Sequence, residues 1–196
     1  METTAWNHGT PNIGNAEVGA AYAILSRGRR HPYSAKAPAR TCYTFTMMNS
    51  QNYSRRFTFD KLDIRGQVVR LTDVWQAMHR GRQYSPSVRQ FLGELACVAV
   101  LIGAGLKQPG RAAIQIQKKQ LPETHTYPGP LAVLDCTDSL GLRGMAATDS
   151  VHAQDISFAD WINGGTLAMT LTYAKSNQIY QSVVPLSGLS VAECFE

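Results

Sequence analysis

The residue types best suited to metal or nucleophile chemistry in this 196-residue chain are four cysteines and five histidines, and their spacing gives them neither task. Cys42, Cys97, Cys136 and Cys194 are far apart in the chain. No pair has the spacing of zinc ligands, and a disulfide framework needs denser usage. Cys97 falls inside an apolar helical stretch and Cys136 at the end of an apolar strand. Both read as small core residues, and unpaired thiols fit a reducing cytoplasm. His8, His31, His79, His125 and His152 are scattered, with no i, i+4 pair of the kind that holds a metal on a helix face. No G-x-S-x-G elbow presents a serine nucleophile. Asp135 and Asp138 flank a turn, and Asp60 and Asp63 precede a strand. Both pairs read as residues that cap backbone groups rather than as acid–base couples. Gly103-Ala104-Gly105 shares part of a dinucleotide fingerprint but sits at the end of a helix. Phosphate binding needs glycines at a helix start, so close helix packing is the better role. No catalytic, metal or cofactor-binding residue is assigned, and the chain is expected not to be an enzyme.

Charge points to binding only weakly. The net charge is +5, but residues 1–53 hold five basic and two acidic side chains while 54–196 hold fourteen and twelve. The later part is nearly neutral, without a Lys/Arg stripe. Trp75, Tyr84, Phe91, Phe158 and Trp161 do not interleave with basic residues into a stacking platform. A basic nucleic-acid module is therefore the runner-up reading, resting on the leader and testable by steeply salt-dependent binding. The longest apolar run, Leu95 to Leu106, is shorter than the roughly 18 residues a membrane span needs. It reads as a buried helix, and no membrane association is expected.

The elements that would position any site begin near residue 54. Before it, residues 1–53 are rich in small and polar types without sustained period, and seven basic residues and no acid lie between Val18 and Phe59. Part of this leader resembles a transit peptide, although Glu2 and Glu17 argue against it. The reading adopted is a disordered basic leader, with Met47 or Met48 as an alternative start. Residues 54–196 form the expected domain. Ile64–Leu71 is a predicted strand with Gly66 as a bulge candidate, and Thr72 a predicted N-cap for a short helix through Met78. Ser85 caps the strongest helix, Pro86 stands at its tolerated first position, and apolar residues follow at 88, 91, 92, 95, 99, 102 and 106. Its far end is apolar all round, so other elements must cover it. Strands are predicted at Arg111–Gln117, Leu131–Cys136, Leu142–Ala147, Leu167–Tyr173 and Ile179–Val184, the last two as a hairpin. A loop is predicted over Gln117–Pro130 and a short helix from Ser157. The resulting class is α+β: one domain of mainly antiparallel strands packed on a long buried helix.

Ser190 and Glu193 have capping-box spacing, yet the sequence stops at Glu196, well short of a self-supporting helix. The expectation drawn is a chain cut within a longer design.

Several runs, taken in order, resemble the substrate-holding core of the heat-shock protein 33 family. They are Tyr84-Ser85-Pro86-Ser87-Val88, Leu92-Gly93-Glu94-Leu95, Ala104-Gly105-Leu106-Lys107, Ile114-Gln115-Ile116-Gln117, Gly129-Pro130-Leu131-Ala132-Val133 and Leu142-Arg143-Gly144-Met145-Ala146. The most specific are Leu167-Ala168-Met169-Thr170-Leu171-Thr172 and Tyr180-Gln181-Ser182-Val183-Val184-Pro185-Leu186, leading into Ser190-Val191-Ala192-Glu193-Cys194. The resemblance implies a redox-switched holdase chaperone that binds unfolded or misfolded client proteins and limits their aggregation. In that family a four-cysteine zinc centre and a helical linker restrain an apolar surface. This sequence departs from the pattern by lacking the linker and zinc cysteines, so the family's zinc is not expected as a cofactor here. It also carries Lys118 to Tyr127 in place of a Gly-Asp-Gly turn, and Ser182 where glycine is usual. The expectation is weak constitutive holding or an inactive remnant, with client-contacting residues unassigned and a homodimer open.

Overall fold

Ser85 starts the central helix as its type requires: its Oγ accepts from the Val88 N–H at 3.3 Å, and Pro86 occupies the position where a missing N–H costs nothing. The helix runs over Pro86–Gly105 and is labelled α2. The structure, a computed structural model, describes residues 52–59, 64–118, 131–147, 159, 163–176, 178–187 and 190–195, together with the backbone of 20–27. The strands are β1 (Ala20–Arg27), β2 (Tyr53–Phe59), β3 (Ile64–Leu71), β4 (Gly110–Lys118), β5 (Leu131–Thr137), β6 (Leu142–Ala147), β7 (Gly165–Tyr173) and β8 (Ile179–Pro185). Helix α1 covers Asp73–His79, and a 3-10 turn spans Glu193–Phe195.

Two antiparallel sheets result, one ordered β1-β3-β2 and the other β6-β5-β4-β7-β8. Helix α2 packs on β4, β5 and β6 of the larger sheet and on all three strands of the smaller. That double contact explains its all-round apolarity: Leu92, Leu95, Ala96, Cys97 and Ala99 are fully buried. By length and mean hydropathy α2 is able to cross a membrane, but two-thirds of its most apolar window is buried inside this fold (67%). The fold is thus a single α+β domain, as expected. Ala112, Ile114 and Ile116 of β4 and Ala132, Leu134 and Cys136 of β5 form the sheet side of the core.

Three local expectations are corrected. The leader expected to be disordered contains β1, which lies antiparallel to β3 with Ala20 opposite Leu71 and Arg27 opposite Ile64. Pairing there satisfies the second edge of β3, whose donors and acceptors would otherwise lie open. The folded body also begins before residue 54. Thr72 stands at the N-cap of α1 as expected, but its side chain makes no cap bond; Asn52 Oδ1 instead accepts from the backbone N–H of Thr72 (2.8 Å) and Val74 (3.2 Å). Gly66 is not a bulge: β2 and β3 stay in register through it, with Phe57 directly opposite. The Phe57 ring lies where a Cβ on residue 66 would be. The remaining leader, Met47 and Met48, Asp60 and Asp63, the 119–130 loop and the 157–162 helix apart from Ala159 lie outside the described residues.

Candidate functional site

Among the described residues no group of three His, Cys, Asp or Glu is placed to hold a metal. The three described thiols, Cys97, Cys136 and Cys194, form no disulfide and are held towards the protonated form, while Cys42 lies outside the described residues. Burial, and secondarily Glu94, pushes Cys97 up to about 12, and burial with Asp135 pushes Cys136 up to about 11. Burial, then Glu193, also raises Cys194. The carboxylates are equally occupied. Asp138 Oδ1 accepts from the Gly110 N–H at 3.1 Å, the turn role expected of it. Asp135 departs from that role: its Oδ2 accepts from Arg111 Nη1 (3.3 Å) and from Arg143 Nη2 (2.7 Å) and Nε (3.0 Å), tying β4, β5 and β6 together across one face. Gly103 takes the packing role foreseen for it, because a Cβ there would stand 2.7 Å from Cys136 Sγ; Gly105 has open space beside it.

What the structure does assemble is an apolar surface. The large sheet has one face turned to α2, carrying Ala112, Ile114 and Ile116 of β4. Register places Leu171, Met169 and Leu167 of β7 in line with them, and then Tyr180, Ser182 and Val184 of β8. Helix α2 makes its main sheet contacts on β4, β5 and β6. The apolar face therefore continues past the helix. Leu167 is still buried, Met169, Leu171 and Tyr173 are half-buried, and every residue of β8 is exposed. Tyr180 is 54% exposed and Val184 41%, and Tyr173 meets Tyr180 edge-to-face with ring centres 6.0 Å apart. On the reverse face of β8, Ile179 is 66% exposed and Val183 59%. Beside them Gln181 Nε2 donates to Thr170 Oγ1 at 3.1 Å. Four of the seven large exposed apolar side chains among the described residues thus sit on one strand.

These are residues that sequence reasoning left unassigned. The signal was present: Ile179-Tyr180 and Val183-Val184 put apolar side chains on both faces of one strand. Such a pattern reads as a buried strand. Exposure at an edge gives it another meaning, because contiguous exposed apolar residues mark interaction sites.

Residues 190–195 pack on the core. Glu193 N–H donates to Ser190 Oγ at 3.3 Å, half of the expected capping box, but the backbone adopts a 3-10 turn. Val191 is buried in the core, and Leu186, Cys194 and Phe195 pack against it.

The family model described as "Hsp33 protein" matches residues 52–196. The chain belongs to the Hsp33 family. Curated Hsp33 relatives named 33 kDa chaperonin include one from Methylobacillus flagellatus, 33% identical over 150 residues that cover 76% of this chain and 48% of the relative. Another, from a Shewanella species, is 34% identical over 146 residues, covering 74% and 48%. This chain therefore spans about half the length of the Hsp33 relatives it matches. The crystal structure of the Thermotoga maritima Hsp33 homologue aligns with a TM-score of 0.57 at 18% identity, over 74% of this chain and 49% of that one. At that identity the likeness shows the Hsp33 fold. The match starts at residue 52, where Asn52 opens the folded body of the later strands and helices.

Proposed function

We propose that this chain is a chaperone of the holdase type, binding unfolded proteins in the cytoplasm on the exposed β7–β8 surface and limiting their aggregation. The observation that carries the reading is the sheet face running beyond α2 onto a strand exposed along its whole length. Family membership supports it, since the relatives carry the chaperonin name. The physics is undemanding. Each 100 Å² of apolar surface withdrawn from water contributes about 2.5 kcal/mol, part of which offsets the ordering of the client. No bond is made or broken, so no catalytic group is called for.

Redox control is not part of the proposal. Cys97 and Cys136 are buried as protonated thiols, and holding by β7–β8 uses neither. Light scattering from a heat-denatured client tests both points. The expected result is suppression at several-fold molar excess, equal under oxidising and reducing conditions, and lost in a Tyr180→Asp/Val184→Asp variant. Absence of suppression under either condition would leave an inactive remnant, the other expectation from sequence.

A further inference from the structure

The hydrogen-bond parity of the β7–β8 hairpin shows which backbone groups of β8 face away from the sheet. Tyr173 N–H donates to Gln178 C=O at 3.1 Å, and Leu186 N–H donates to Gly165 C=O at 2.9 Å. Gln178 and Leu186 therefore bond inward, and in an antiparallel ladder so do Tyr180, Ser182 and Val184 between them. Ile179, Gln181 and Val183 aim both N–H and C=O outward. Pro185 falls on the same outward parity, where the donor that proline lacks would have pointed away from the sheet. No described residue covers these groups.

Apart from Pro185 at its end, the described β8 edge lacks the protection natural sheet edges carry. Residues 178–186 contain no charged side chain, in a protein of net charge +5. Register runs unbroken from Thr166–Pro185 to Thr172–Ile179, so no bulge twists the edge away. Apolar side chains flank the free groups on both faces.

Resting on the chaperone reading above, we propose that the client is captured by strand addition. An extended, uncharged segment of about five or six residues lies along β8 and bonds to the outward groups of Ile179, Gln181 and Val183 and the carbonyl of Pro185. Its alternate side chains fall beside Ile179 and Val183 on one face and Tyr180 and Val184 on the other. The free edge is about 20 Å long, which suits a short segment. Charge selects the occupant: a strand without Lys, Arg, Asp or Glu accepts an uncharged apolar segment of the kind an unfolded protein exposes. Joining two copies through a single seven-residue strand each would fall well short of the roughly 1,200–2,000 Å² that specific protein pairs bury.

Gln181→Pro in the full chain tests this. It removes an outward N–H, leaves every apolar side chain in place and costs the ladder no backbone hydrogen bond, only the exposed side-chain bond from Gln181 Nε2 to Thr170 Oγ1. The expected result is a loss of about tenfold or more in holding of a heat-denatured client, with the urea midpoint nearly unchanged. Full holding by Gln181→Pro alongside loss in Tyr180→Asp/Val184→Asp would overturn strand addition and leave the chaperone reading standing. Full holding by both variants would overturn the two together. A shift from dimer to monomer in Gln181→Pro, with holding retained, would instead assign the edge to a second copy. A blocked hexapeptide of alternating Val and Thr, compared with its counterpart N-methylated at alternate residues, gives a readout independent of the variant's folding. Wild-type protein is expected to bind the first about tenfold more tightly than the second. Equal affinity, or binding of neither at millimolar concentration, would overturn the proposal.

Discussion

At its β6 edge the large sheet is closed off by side chains: Arg82 Nη1 donates to the Gly144 carbonyl at 2.9 Å, and the Ala146 N–H donates to Tyr84 Oη at 3.2 Å. Helices α1 and α2 both pack against β6. At the β8 edge, one sheet-width away, no described side chain performs that service and no described helix lies alongside. The β6 edge is thus tied into the rest of the domain, whereas the β8 edge meets only β7 among the described elements. Among the described residues only the β8 edge of the large sheet is bare, and the proposed client surface rests on that asymmetry.

The contrast is sharpest in the core beneath each edge. Leu134→Ala, on β5 under α2 and fully buried, is expected to lower stability by about 3 kcal/mol in urea unfolding. Val183→Ala on β8 should change it by less than about 0.5 kcal/mol. A comparable loss at Val183 would break the comparison. Thiol ionisation reports from the covered side alone. The folded chain holds the Cys97 thiol at about 12 against 9.0 in the open, so the unfolded chain loses its proton first. Stability is complete below pH 9 and falls as pH rises towards 12, by about 1.4 kcal/mol per unit from this group. Unfolding midpoints between pH 9 and 11 should carry that slope, with Cys136 adding its own, and Cys97→Ala should remove the Cys97 share.

Smaller effects test the edges directly. Tyr84→Phe leaves the Ala146 N–H without its partner and should cost about 1 kcal/mol by urea unfolding. Ile179→Lys with Val183→Lys should leave stability within about 0.5 kcal/mol and reduce client holding, because lysine on an open edge deters pairing. If the two lysines destabilise the domain as much as Tyr84→Phe does, β8 is a structural strand.

The later fold was legible in the sequence because its signals are local. Ser85, Pro86 and the apolar spacing after them define α2 without reference to any other segment, and the β7 alternation defines that strand. The small sheet was less legible. Arg55-Arg56 interrupts the alternation of β2, which becomes a strand through its partners: Phe57 lies over Gly66, and the Arg56 guanidinium donates to the Ala104 carbonyl near the end of α2. The cap on α1 was missed for a related reason, since Asn52 stands 20 residues before the N–H of Thr72 that it accepts from. The proposed client surface was visible only as a doubly apolar strand. Whether such a strand is buried or bare depends on where α2 ends across the sheet, which no local pattern encodes.

The seat of Phe57 over Gly66 bears on how relatives of this protein can diverge. A side chain at 66 meets the ring, so for residue 66 to grow, residue 57 must shrink or its ring swing out of its seat. The two positions should therefore be inherited as a couple, an aromatic residue with glycine or a small residue with a larger one.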